Sequence, residues 1–211
     1  TARDLSILSM RLMRDFPEYT HYYSIKEYRY PGTPAANGRN RNTLLFRDPS
    51  VDGLKTGHTN AAGYCLVSTA NRSLPNVGER RLLSILLGAA SDNARANESQ
   101  KLLNWGYTAY DAVKLFDAAQ AMEEVQIWKG SQSTIKVGRD AATVVTVPAG
   151  SAGKVTTQLV RTDPLMAPVA KGQQVGTLKV LVGEQVAAEL PVVALEAVSE
   201  GGFFRRLWDS I

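Results

Sequence analysis

The sequence predicts an α+β region followed by an all-β region. Three observations carry this reading. The first 109 residues mix helical spacing with short apolar runs. Residues 111–197 show Val-rich alternation, with Gly and Pro recurring about every 10 residues. Between the two, after Trp105-Gly106-Tyr107, the composition shifts.

A chain of 211 residues usually makes one or two domains. Its 44% apolar and 21% charged content is that of a globular protein with a sizeable core. Net charge is +4 and unevenly placed: residues 1–109 hold 14 Lys and Arg against 9 Asp and Glu, and the remainder 10 against 11. The basic first part suits an anionic ligand such as a peptide carboxylate. It is too weak and dispersed for nucleic acid. The lone Cys65 cannot close an internal disulfide, and its apolar surroundings predict a buried free thiol. No apolar run approaches the length of a membrane span.

Residues 3–15 carry Leu5, Leu8, Met10, Leu12 and Met13 at near-helical spacing, with Pro17 as the stop. Thr1, or a residue before it, is the expected cap. The helix reads as already under way at Thr1, so the expectation is a fragment of a longer chain. Residues 19–30, rich in Tyr, predict one or two strands. His21 there reads as a partly exposed packing side chain, with no second His or Cys near enough for a metal. Pro31 to Arg41 is a loop, in which Arg39 and Arg41 are either solvated charges or carboxylate holders. Leu44-Leu45-Phe46 is a short apolar element, and Asp48-Pro49-Ser50 turns the chain into the next strand.

That strand is Val51-Asp52-Gly53-Leu54-Lys55-Thr56-Gly57-His58-Thr59. On a strand, Lys55 and Gly57 share one face and Thr56 takes the other. Gly57, lacking a side chain, lets a substrate backbone approach. Lys55 supplies a positive field, and Thr59 returns a hydroxyl to the same face. Tyr64 to Ala70 follows as an apolar strand, Asn71 to Arg80 as a polar link, and residues 82–89 as a buried strand. Residues 91–104 predict a helix capped by Ser91 or Asp92, with Asn97 and Glu98 holding its start. In the β-rich region the expected runs are Glu124–Trp128, Ser133–Val137, Thr143–Val147, Lys154–Val160, Gly176–Val182 and Gln185–Ala194. In the tail, Phe203, Phe204, Leu207, Trp208 and Ile211 recur at helical spacing around Arg205 and Arg206. The pattern fits an interfacial helix or a terminal helix packed on its own domain.

Taken together, several stretches resemble the C-terminal part of a low-molecular-weight penicillin-binding protein, a D-alanyl-D-alanine carboxypeptidase. They are Thr1-Ala2-Arg3-Asp4, Arg41-Asn42, Val51 to Thr59 with its Lys-Thr-Gly, Ala61-Gly63-Tyr64, Leu87-Gly88-Ala89, Asn97-Glu98-Ser99, Trp105-Gly106 and Glu200 to Phe204. The resemblance implies three parts. Residues 1–109 are the C-terminal part of a penicillin-binding/serine β-lactamase-like transpeptidase domain. Residues 110–197 form a small, sandwich-like all-β domain. Residues 198–211 begin a C-terminal amphipathic helix that anchors to the inner-membrane surface. The family's Ser-x-x-Lys and Ser-x-Asn motifs precede Lys-Thr-Gly, so the nucleophile is expected in an N-terminal segment outside these residues. Ser133-Thr134-Ile135-Lys136 and Ser151-Ala152-Gly153-Lys154 match the first motif only inside β-region runs and turns, and Ser91-Asp92-Asn93 matches the second as a helix cap.

By the same resemblance, Lys55 and His58 are the catalytic positions. Lys55 supplies charge, and the His58 backbone N–H is one oxyanion donor. Lys55, Thr56, Gly57, His58, Thr59, Arg95 and Arg41 bind substrate, Arg95 near its carboxylate and Arg41 at the site's edge. The implied substrate is a peptidoglycan stem peptide ending in D-Ala-D-Ala. The implied inhibitors are β-lactams, and the implied place is the periplasmic face of the bacterial inner membrane. No metal or organic cofactor is implied. Alternatives are a related serine endopeptidase or β-lactamase, or a non-catalytic peptide-binding module. A β-lactamase is not expected to carry the trailing β region.

Overall fold

The computed structural model describes residues 1–161 and 163–203. The chain forms two compact units that meet in sequence at Ala109/Tyr110.

The first unit opens with α1 (Ala2–Asp15). Thr1 caps it: its hydroxyl accepts from the Asp4 N–H, while the Asp4 carboxylate accepts from the Thr1 amino group at 2.9 Å. The Tyr-rich stretch then departs from the strand expectation. Pro17–Ser24 is a 3-10 helix. Pro17 presets the first turn, and Thr20, His21 and Ser24 each bond the carbonyl three residues back, at 2.8, 2.7 and 2.8 Å. These local bonds outweigh the β preference of the tyrosines. Ala35–Asn37 and Thr43–Phe46 are further 3-10 turns, the latter burying Leu44 and Leu45.

Three antiparallel strands follow in the order β1 (Val51–Thr59), β2 (Gly63–Leu74) and β3 (Gly78–Ala89). The expected polar link is in fact strand. Arg72 pairs with Arg80, Ser73 with Glu79, and a tight turn with Asn76 and Gly78 at positive φ closes the hairpin. These polar residues stay in register because they have partners: Asn71 donates to Glu79 at 2.8 Å and Arg81 meets Asp52 at 2.7 Å. Cys65 is half-buried, not buried as expected, and free.

Helix α2 (Asp92–Ala109) runs five residues past its expected end. Ser91 caps it, its hydroxyl accepting from the Ala94 N–H at 3.1 Å. Ala96, Ser99 and Leu103 recur at helical spacing and are buried. Ala96 and Leu103 pack with Leu44, Leu45, Val51, Leu66 and Ala70 in the unit's core. Asn97 and Glu98 do not hold the helix start. Asn97 accepts from Arg47 at 2.8 Å, and Glu98 pairs with Lys101. Each is a turn past the cap, on the outer side of the helix.

The second unit is all-β. Its strands are β4 (Tyr110–Phe116), β5 (Ala121–Trp128), β6 (Thr134–Gly138), β7 (Thr143–Pro148), β8 (Val155–Val160), β9 (Leu165–Met166), β10 (Gln174–Val182) and β11 (Gln185–Ala194). One sheet has the order β8-β10-β11-β6-β5-β9, with β9 parallel to β5, and β4 pairs with β7 in the other. The alternation in β7, where Thr143, Val145 and Val147 are buried, sends one face into a core shared with Val125, Ile127, Ile135, Val137, Val180 and Val192. Each of the six expected runs falls on a strand except at its first residue in two cases, Ser133 before β6 and Lys154 before β8; β4 and the two-residue β9 were not anticipated. The helix expected from 198 does not begin there, because Val198 and Glu200 form β-bridges with Val169 and Gly130; most of the remaining stretch falls on residues outside those described. Among the described residues no helix is long and apolar enough to cross a membrane.

Candidate active site

Strand β1 has two halves with different surroundings. Val51, Gly53 and Leu54 are buried, whereas Lys55, Gly57, His58 and Thr59 are exposed and Thr56 is half-buried. The buried half is the anchor. A Cβ on Gly53 would lie 3.0 Å from the Thr69 hydroxyl and 3.3 Å from Tyr23 Cβ, so glycine permits this close packing. Asn42, 2% exposed, donates through its side chain to the Gly53 carbonyl at 2.8 Å and accepts from the Leu44 N–H. Among the described residues β1 pairs with β2 alone.

On the exposed half, Lys55 donates to the Thr56 carbonyl at 2.5 Å and pairs with no carboxylate among the described residues. A Cβ on Gly57 would meet only Cys65 Cβ, at 3.8 Å, so the strand is open there. His58 stands opposite Tyr64 in the register, with their rings 4.0 Å apart. The Thr59 hydroxyl oxygen accepts from the Ala62 N–H at 3.0 Å, closing the turn into β2.

Arg41 lies in Asn40-Arg41-Asn42, a stretch pinned on both sides. Asn40 donates to the Ile25 carbonyl at 2.9 Å and accepts from the Asn42 N–H at 2.9 Å. The Arg41 side chain is exposed and donates to Asn37 at 3.1 Å. Arg95, expected at a substrate carboxylate, is only 4% exposed and faces protein groups. It donates to the Arg41 carbonyl at 2.9 Å and to the Gly57 carbonyl at 3.4 Å, and pairs with Asp92. The structure thus joins Arg95, the Arg41 backbone and the far end of β1 through one guanidinium.

Three supports were not anticipated as such. Asn42 has a readable signal, an Asn before a buried Leu-Leu pair, which is a capping position. Arg72 has none. It reaches Asp48 at 3.1 Å, Ser50 at 3.2 Å and Asn104 at 2.9 Å, and lies 4.1 Å from the Tyr107 ring centre. Tyr107 places its hydroxyl 2.9 Å from the carbonyls of both Ala70 and Arg80, bridging β2 and β3 from α2. Burial raises the Tyr107 phenol above its ordinary range, against the opposing pull of Arg72 and Arg80. No cluster of three or more metal-ligating side chains occurs among the described residues.

Residues 1–91 match the family model described as D-alanyl-D-alanine carboxypeptidase, and residues 110–200 that of the penicillin-binding protein 5 C-terminal domain. The chain is 37% identical over 213 residues to the D-alanyl-D-alanine carboxypeptidase DacC of Escherichia coli (strain K12), covering 100% of this chain and 51% of that protein. It is 33% identical over 211 residues to the DacA of Haemophilus influenzae, covering 99% and 52%. The solved penicillin-binding protein 5 from Haemophilus influenzae aligns with a TM-score of 0.79 at 32% identity, covering 95% of this chain and 57% of that one. The chain spans about half the length of the curated relatives it matches.

Proposed function

The chain belongs to the low-molecular-weight penicillin-binding D-alanyl-D-alanine carboxypeptidases, and on that premise we propose that residues 55–59 form one wall of its acyl-transfer site. The substrate is a peptidoglycan stem peptide ending in D-Ala-D-Ala. A serine from polypeptide outside these residues attacks the carbonyl of the penultimate D-alanine. The bond to the terminal D-alanine breaks, its nitrogen takes up a proton, and D-alanine leaves. Water then hydrolyses the serine ester, regenerating the hydroxyl and releasing the shortened peptide.

The observation that carries this reading is the exposed half of β1. There a Lys55 ammonium with no carboxylate partner among the described residues, a glycine open to approach and the His58 peptide lie within one stretch. Lys55 and the exposed Arg41 supply positive charge for the substrate's terminal carboxylate. Thr56 and Gly57 form the edge along which the substrate backbone lies, and the Thr59 hydroxyl donates to the bound peptide. The His58 N–H, with a second N–H at the serine, receives the developing oxyanion. β-Lactams enter the same path because their strained amide offers an equivalent carbonyl. The setting is the periplasmic side of the inner membrane, with the tail beyond Val198 as the anchor.

Fluorescent penicillin tests the reading. The protein with its serine-bearing segment is expected to give a covalent band, and residues 1–211 alone none. Lys55→Ala should slow acylation by about 100-fold or more, the scale of a principal electrostatic contact in such a site. Unchanged labelling kinetics in that variant would remove Lys55 from the site.

A further inference from the structure

We infer that Arg95 is a positioning residue for acyl transfer: it sets the peptide that presents the His58 N–H and does not itself hold the substrate's carboxylate. The inference rests on the proposed acyl-transfer role of residues 55–59.

Charge and access argue against a carboxylate clamp. A cation that receives a carboxylate needs an open approach and uncompensated charge. Arg95 has neither, being 4% exposed and paired with Asp92. Lys55, exposed and without a carboxylate among the described residues, has both. For Arg95 to reach a ligand it would have to leave the Arg41 carbonyl at 2.9 Å, the Gly57 carbonyl at 3.4 Å and Asp92. Each vacated carbonyl would then lose a part-buried, charge-assisted bond.

The same contacts fix the neighbouring peptide. The Gly57 carbonyl and the His58 N–H are two ends of one peptide unit. That unit is trans, since the cis bonds lie elsewhere. In a trans peptide the two groups point in opposite directions. A guanidinium that holds the carbonyl therefore fixes the direction of the N–H, and by withdrawing charge from the oxygen it strengthens the N–H as a donor. The side chains are tied in as well. The Arg95 guanidinium carbon lies 5.5 Å from the Tyr64 ring centre, within cation–π range, and the Tyr64 ring lies 4.0 Å from that of His58. The bond to the Arg41 carbonyl sets the flanking loop against the same reference point.

The test uses the protein with its serine-bearing segment, acylated by a penicillin carrying a 13C label at the lactam carbonyl. Stopped-flow labelling separates the pre-acylation dissociation constant from the limiting acylation rate. Difference infrared reads the carbonyl stretch of the acyl-enzyme, which reports how strongly the oxyanion donors hold that oxygen. Arg95→Gln is expected to lower the limiting rate by about 10- to 100-fold, less than deleting a donor outright. The dissociation constant should stay within about twofold, as expected when an interaction is made only in the transition state. The carbonyl stretch should move to higher wavenumber. Arg95→Lys keeps a buried cation but cannot span both carbonyls, so it should fall between wild type and Gln on rate and stretch, and it carries the test if the Gln variant does not fold. A weakened dissociation constant with unchanged limiting rate and unchanged stretch would overturn the inference and restore Arg95 as a carboxylate ligand. A wild-type protein that takes no label would overturn the acyl-transfer reading itself, and the inference with it.

Discussion

Asp48 stands at the entrance to β1, and its ionisation is a local contest. Burial works to raise its carboxyl. The Ser50 hydroxyl at 2.6 Å, the Ser50 N–H at 2.9 Å and the Arg72 guanidinium at 3.1 Å outweigh burial and hold it below the usual carboxylate range. The folded-state value thus lies below the unfolded one. The contribution is fully present above the unfolded value of about 4 and is lost as pH falls through the folded value. Asp48→Asn should cost about 1–3 kcal/mol at neutral pH, the scale of a charged hydrogen-bonded partner. Urea midpoints should show that the variant loses less stability than wild type between neutral pH and pH ~3. The Asp48-Pro49-Ser50 turn was legible because its chemistry is local. The Arg72 partner was not, because the two residues stand 24 apart in sequence and only the β1–β2 pairing brings them together.

At the scale of elements, β1 is an anchored half joined to an exposed half, and the two glycines divide the same way. Gly57 has only ordinary contact distance to Cys65, so the fold has room for a methyl group. Gly57→Ala should leave the unfolding free energy within about 0.5 kcal/mol of wild type. In the protein with its serine-bearing segment it should nonetheless slow penicillin acylation by about 10- to 100-fold, because on the proposed function the methyl group displaces a ligand backbone laid against the strand. A loss of stability matching the loss of rate would place the effect in the fold and not in the approach. The strand with Lys-Thr-Gly, the capped helices and the six alternating runs were legible, since each depends on periodicity or on a cap a few residues away. Residues 19–30 were not. Their β propensity is real, but Pro17 and the carbonyl bonds of Thr20, His21 and Ser24 favour a 3-10 turn, and among the described residues the stretch pairs as β only at the Glu27–Arg39 bridge. The Asn71–Arg80 stretch failed for the opposite reason: polarity suggested a link, and cross-strand partners kept it in the sheet.

At the scale of the whole molecule, each unit has its own core. Among the described residues the second unit's core draws on β4 to β11 and on Val169 and Val198. Ile135→Ala, at a fully buried position, should lower that unit's stability by about 2–5 kcal/mol. On the proposed function, penicillin acylation of the protein with its serine-bearing segment should be unaffected at temperatures where the unit stays folded, as comparison of calorimetry with labelling rates would show. The sequence by itself determined the α+β and all-β division, the strand that carries Lys55 to Thr59 and the family resemblance, because spacing and order along the chain suffice for these. The tertiary structure alone decided that Arg95 faces the Gly57 and Arg41 carbonyls, that Asn42 holds Gly53, and that Lys55 has no acidic neighbour among the described residues. A side chain's partner is set by which distant elements pack beside it, and neither propensity nor spacing encodes that packing.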